Sequence, residues 1–133
     1  MNNTLHSIAD EYILKRANIE NCHNGRAKIG CVIVSNSFDI FGINHYNIDT
    51  KFTSRHAEVD AVLKLRYSEK QKQIIMLVFR TNNKGDKLLM AKPCDNCVKV
   101  IRKTLKYKNY KLKSNKCYYT DNNGNFSYIK IKI

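Results

Sequence analysis

Two short stretches hold side chains with a chemistry of their own: His56-Ala57-Glu58, and Pro93-Cys94-Asp95-Asn96-Cys97. Cys94 and Cys97 are three positions apart, so on the first turn of a helix both sulfurs lie on one face and can share an ion. Pro93 stands where a helix start tolerates a missing N–H, and its fixed φ already suits the first turn. His56 precedes an apolar run of helical period and so also stands at a helix N-terminus. Two helix starts facing one another would bring positive dipole ends to the site, which favours thiolate over thiol. One neutral imidazole and two thiolates bring Zn²⁺ near formal neutrality, and three ligands leave a fourth position for water. His56, Cys94 and Cys97 are therefore the expected ligands of a reactive zinc, not of a closed structural one.

Glu58 is the expected proton carrier. Zinc lowers the pKa of a bound water to roughly 7, which makes a hydroxide nucleophile available at neutral pH. Attack on an aromatic ring carbon also needs a proton delivered to the ring nitrogen and then to departing ammonia. A carboxylate that is not a ligand can carry those protons both ways. Residues at i and i+2 do not share a helix face, so Glu58 can reach the water from a different side than the one on which His56 binds the metal.

Blander readings stand beside these. A C-x-x-C pair alone also reads as a redox pair or as incidental, the lesser reading; the proline before it and the upstream H-x-E argue for metal. A structural zinc would need His23, His45 or Cys31 as fourth ligand, and none has finger-like spacing to the others.

H-x-E followed by P-C-x-x-C is the signature of the zinc-dependent nucleobase deaminases. The sequence resembles the cytidine and deoxycytidylate deaminase superfamily over nearly its whole length. Lys28–Val34 is similar to that family's first strand, Ser54–Leu65 to its first zinc helix, and Lys92–Arg102 to its second. Lys92 departs from the Ser, Thr or Glu that relatives often carry before the proline. The resemblance implies an α/β, three-layer cytidine-deaminase-like fold: a mixed sheet of about five strands with helices on both faces and the two zinc helices on the same one. Asn44, twelve residues before the histidine, matches a pocket asparagine that contacts the nucleoside. Tyr119 lies where relatives place pocket residues, although ordinary strand packing explains it as well. The Ala57 and Cys94 N–H groups, at helix starts, are expected donors to substrate or water. Enzymes of this fold usually form dimers or tetramers, so a homo-oligomer is expected.

At 133 residues the chain is expected to be one domain, 1–133, with room for a core. No apolar run approaches the roughly 20 residues that cross a bilayer, and the first residues lack a basic segment followed by an apolar stretch. With two cysteines committed to metal, Cys22, Cys31 and Cys117 form an odd remainder. They read as small buried hydrophobes in a reducing compartment, the cytoplasm.

The formal charge of +13 raises the question of nucleic acid. Its densest stretch is Arg102, Lys103, Lys106, Lys108, Lys111, Lys113 and Lys116, with Tyr107 and Tyr110 interleaved. Such a strip can follow phosphates while tyrosines stack on bases. Lysine greatly outnumbers arginine, however, and arginine is the better phosphate fork. Contact of Arg102, Lys103 and Lys106 with nucleic acid is therefore the less favoured reading.

The positioning elements follow from periodicity. Thr4, as N-cap, opens a helix to about Ile19 with Leu5, Ile8, Ala9, Tyr12, Ile13 and Arg16-Ala17 on one face. Asn21–Arg26 is a turn. Lys28–Val34 and Phe38–Asn44 form a hairpin through Ser35-Asn36-Ser37, and His45–Ser54 is a loop. Arg55 to about Tyr67 is the first zinc helix, with Val59, Val62, Leu63 and the Arg66 stem inward. Ile74–Phe79 is a strand buried on both faces. Asn82–Gly85 is a turn, and Lys87–Met90 is a short extended return. Cys94 to about Leu105 is the second zinc helix, with Val98, Ile101 and Leu105 inward. The basic segment follows as loop or ragged helix end. Lys116–Thr120 and Phe126–Ile133 are strands joined at Asp121–Asn125. About five residues there leave no room for the helix that one division of the family inserts. An antiparallel pair results, as in relatives acting on free cytidine, whereas the N-terminal part looks more like the deoxycytidylate and tRNA-adenosine deaminases.

The expected function is hydrolytic deamination of a cytosine-type base in a free nucleoside or nucleotide. The alternatives are an editing enzyme acting on RNA or single-stranded DNA, and a pseudoenzyme whose zinc only holds the fold.

Overall fold

The computed structural model describes residues 2–18, 28–46, 54–82 and 87–133. In chain order these form α1 (Asn2–Asn18), β1 (Lys28–Val34), β2 (Asp39–Ile43), β3 (His45–Tyr46), β4 (Ser54–Arg55) and α2 (Ala57–Lys64). There follow β5 (Lys72–Thr81), β6 (Leu88–Leu89), α3 (Asp95–Lys108), β7 (Tyr110–Thr120) and β8 (Phe126–Lys130). The main sheet runs β2-β1-β5-β7-β8, with β6 added to β5. β5 and β7 are parallel, connected through α3, whereas β1–β2, β1–β5 and β7–β8 are antiparallel. The sheet is thus mixed, and its last pair is the expected hairpin. No helix among the described residues is long and apolar enough to cross a membrane.

The period-2 alternation of the strands sorts their side chains into two cores. Cys31, Ile33, Met76, Val78 and Cys117 point to the layer of α2 and α3, where they meet Ala57, Ala61, Val62, Ile101 and Leu105. Val32, Leu77, Phe79 and Tyr118 point the other way, under Leu5, Ala9 and Tyr12 of α1. The central strands are buried on both faces because helices cover both, the condition that selects continuous apolar runs.

Two contacts set α2 in place. A Cβ on Gly42 would lie 2.5 Å from the Ala61 nitrogen and would also collide with the Ala57 carbonyl. Only glycine lets β2 approach the helix backbone so closely. Asp60, buried on α2, accepts a hydrogen bond from the Ile43 N–H at 3.0 Å and pairs with Lys64 at 3.1 Å. At the far end, Lys108 of α3 donates to the carbonyls of Val62, Leu63 and Leu65 at 3.1, 2.9 and 2.6 Å. A helix C-terminus leaves such carbonyls without intrahelical donors; the Val62 carbonyl also takes the Leu65 N–H at 3.2 Å, so Lys108 is its second donor.

Several expectations need correction. α1 begins at Asn2, so Thr4 is not its cap. The segment His45–Ser54 is not wholly loop: His45-Tyr46 pairs with Ser54-Arg55. α2 is shorter than expected, ending at Lys64; Leu65 turns inward while Leu63 and Arg66 are exposed. The basic segment is neither loop nor frayed helix. α3 continues to Lys108, and Asn109, left-handed at φ 73°, ψ 48°, turns the chain straight into β7. Asn tolerates that conformation at a helix end better than most residues. Its side chain also donates to the Ser68 and Glu69 carbonyls, at 3.0 Å each. The expected turns Asn21–Arg26 and Asn82–Gly85 lie wholly or mostly outside the described residues.

Gly42→Ala is expected to destabilise the protein by about 1–3 kcal/mol, the usual cost of overpacking. Urea denaturation measures it, and a loss under 0.5 kcal/mol would mean that α2 can shift freely on β2.

Candidate active site

The extended backbone before each helix aims the ligand side chains. His56 is the N-cap of α2 (φ −73°, ψ 151°) and Cys94 the N-cap of α3 (φ −73°, ψ 164°), so the two helix starts meet as expected. His56 Nδ1 lies 2.9 Å from Cys97 Sγ and 4.0 Å from Cys94 Sγ, and the two sulfurs are 3.2 Å apart. All three ligand atoms fall within 4.8 Å of one another. Two Zn–S bonds of about 2.3 Å at a tetrahedral angle put sulfurs about 3.8 Å apart; the sulfurs here stand closer than that, at 3.2 Å, and it is the donor set and its clustering that fit zinc. Among the described residues the cluster has these three members and no fourth. Cys31 belongs instead to the main core, fully buried. His23 lies outside the described residues, as does the side chain of His45.

Burial is graded across the site. His56 and Cys94 are exposed and Cys97 is buried, while Glu58 is only 5% exposed. Burial raises the Glu58 carboxyl above its ordinary value, against the lowering effect of its own backbone N–H and of His56. Burial also pushes the Cys97 thiol well up, with further contributions from the Glu58 charge and from Cys94. The positive ends of the two helices, and a cation bound among these residues, act against that burial by favouring the thiolate.

The remaining expected residues are spread more widely. Ala57 is the fully buried first residue of α2. Asn44 follows β2 at the end nearest the α2 N-terminus, and its Oδ1 accepts from the Ile29 N–H at 3.0 Å and from Arg16 Nη2 at 2.6 Å. Tyr119, half-buried near the end of β7, packs on the α2/α3 core. Its neighbour Thr120 accepts from the Ala91 N–H in the segment that leads to Pro93. Arg102, Lys103 and Lys106 are exposed on α3. The seven cations divide between two elements: the first four ride on α3, and Lys111, Lys113 and Lys116 belong to β7.

Residues that sequence reasoning passed over also build the site. Asp60 and Gly42 hold α2, and Arg16 holds Asn44. The one signal for Arg16 was its position on the apolar stripe of α1. Of the leftover cysteines, Cys31 and Cys117 are buried as expected, and Cys22 lies outside the described residues.

The family model "cytidine and deoxycytidylate deaminase zinc-binding region" matches residues 7–112. The chain belongs to this family of zinc-binding deaminases, and zinc is its cofactor. Two solved structures share the fold. Cytidine deaminase from Burkholderia pseudomallei is similar at 16% identity and TM-score 0.62, over 95% of this chain and 91% of that one. Cytidine deaminase from Mycobacterium leprae is similar at 18% identity and TM-score 0.53, over 90% and 87% respectively. No curated protein matches the sequence.

Two outcomes follow from the geometry. His56→Ala or Cys97→Ser should reduce bound zinc from about one equivalent per chain to a small fraction, as read by atomic absorption. Burial pushes the Cys117 thiol up to about 12 and Cys31 higher than its ordinary value too. At pH 8 Cys117 is then almost wholly thiol, the unreactive form. Iodoacetamide should leave both cysteines unmodified in the folded protein and label them in urea, as mapped by peptide mass.

Proposed function

We propose that the protein hydrolytically deaminates a cytosine-type base in a free nucleoside or nucleotide (cytidine, deoxycytidine or dCMP), giving the uracil form and ammonia. The observation that carries this reading is the convergence of His56, Cys94 and Cys97 at two helix starts, with the buried carboxyl of Glu58 beside them. In the proposed roles His56, Cys94 and Cys97 hold the ion. Zinc bound there supplies a water acidified enough to act as nucleophile at neutral pH.

Glu58 accepts the proton of the attacking water and returns it to the ring nitrogen. It then moves a second proton to the amino group as the C–N bond breaks. Its raised pKa suits a group that must both take and give protons near neutrality. The Ala57 N–H, in the first turn of α2, points a helix-start donor toward the reacting group. Asn44 orients the sugar, and Tyr119 lines the base side of the pocket. The proposed setting is cytoplasmic, supported by the free cysteines Cys31 and Cys117, which the metal site does not use. Leu63 on α2 and Tyr107 on α3 are exposed, and the proposed homo-oligomer would cover such side chains.

Glu58→Gln should lower kcat by about 10²–10⁴-fold while zinc content stays at the wild-type level. A panel of cytidine, deoxycytidine, their monophosphates, purine nucleosides and short oligonucleotides, followed by ammonia release, tests the substrate class. Turnover of the free compounds should change little between 50 and 200 mM salt. A steep fall, with oligonucleotides as the better substrates, would instead point to an enzyme that works on a strand held by Arg102, Lys103 and Lys106. A zinc-loaded wild type inert toward the whole panel would remove the enzymatic reading.

A further inference from the structure

Arg16 has no exposed surface. A guanidinium taken wholly out of water must be met by acceptors, and two of them identify its task. Nε donates to the Ile29 carbonyl at 3.0 Å, and Nη2 donates to Asn44 Oδ1 at 2.6 Å. The same two residues bond each other in both directions. The Asn44 N–H donates to the Ile29 carbonyl at 3.2 Å, and the Ile29 N–H donates to Asn44 Oδ1 at 3.0 Å. Arg16, Ile29 and Asn44 therefore close a ring in which Asn44 Oδ1 receives two donors, one of them charged. Charged donors make the shorter and stronger hydrogen bonds.

An asparagine amide can present its oxygen or its NH₂ in the same place by a half-turn about the last side-chain bond. Here the half-turn would set the NH₂ against the Arg16 and Ile29 donors, so one flip is fixed. Arginine suits this because two nitrogens of one rigid, planar fork reach the two acceptors in fixed directions, whereas a lysine ammonium would have to meet both from a single atom on a flexible stem.

We infer that Arg16 is a positioning residue: from α1 it locks the Asn44 amide so that its Oδ1 faces inward and its Nδ2, a donor, is the end set toward the substrate. The group that Asn44 recognises is then an acceptor, a hydroxyl oxygen of the sugar. This rests on the reading that Asn44 meets the substrate. Its consequence is that sugar recognition depends on a helix from the layer opposite the zinc helices. The lock also ties β1 to the chain leaving β2, so the asparagine is fixed in position as well as in flip.

The test compares whichever nucleoside or monophosphate the zinc-loaded wild type deaminates with its 2′,3′-dideoxy counterpart. Arg16→Lys should lose about tenfold in kcat/KM on the hydroxylated sugar, the scale of one well-placed hydrogen bond, chiefly through KM. The dideoxy compound should lose less than twofold, and zinc content should not change. In an Asn44→Ala background Arg16→Lys should cost nothing further, because residues that act as a unit are non-additive. Asn44→Asp keeps an oxygen for Arg16 but replaces the donor by an acceptor. It should stay folded and lose the preference for the hydroxylated sugar, which keeps the inference testable if Arg16→Lys does not fold. Equal losses on both sugars, additive losses in the double variant, a preference surviving in Asn44→Asp, or a wild type with no such preference would overturn the role. A wild type that releases no ammonia would remove the deaminase reading, and the role with it.

Discussion

At Gly42 the backbone of β2 lies directly against Ala57 and Ala61, with no side chain between strand and helix. Asp60 holds the same place by taking the Ile43 N–H. These contacts decide how far α2 stands from the sheet, and everything that α2 carries inherits that distance. His56 caps α2 and Glu58 stands on its first turn, so the distance of both from the sheet is set by an absence, the missing Cβ of one glycine. Cys94 and Cys97 arrive from the other side of the β5–β7 crossover. Their helix shares a core with α2 through Ile101, Leu105 and Val62. Two helices that pack on one face of one sheet thus bring their N-termini together.

The same packing grades the solvent across the site. His56 and Cys94 look outward, while Cys97 and Glu58 look into a region floored by Cys31 and Cys117. An ion there is reached from one side and backed by low-dielectric core on the other. Charges on the inner side are costly unless paired, which is why Glu58 prefers its proton more than an exposed carboxyl does. The chemistry proposed for the site needs that asymmetry: access for the substrate at the ligands, and a proton carrier kept from bulk water.

Much of this was legible from residue types and spacing. The cysteine pair, the histidine and the glutamate announce themselves because few other roles need those side chains at that spacing, and the antiparallel last hairpin followed from loop length alone. The strand Tyr110–Thr120 was partly hidden because its alternation breaks. Ser114 and Asn115, both at φ 56°, insert an irregularity that leaves Leu112 and Cys117, five apart, in the same core. A run of lysines over that stretch then read as loop, although strand pairing to β5 overrides the composition. Arg16 was hidden differently. An arginine on an apolar stripe looks like a stem lying along the surface, and only the fold brings Ile29 and Asn44 to its head group. The end of α2 was misjudged because its periodic apolar pattern continues past the point where the backbone stops being helical at Leu65.

Lys108 gives the helical layer a property of its own. Its ammonium grips three carbonyls at the end of α2 while standing on the last turn of α3. The helices are pinned to each other at the end remote from the histidine and cysteines, by a group that owes nothing to metal. The two helices are thus braced at their C-terminal ends by hydrogen bonds within the chain, at a distance from the residues gathered at their N-termini.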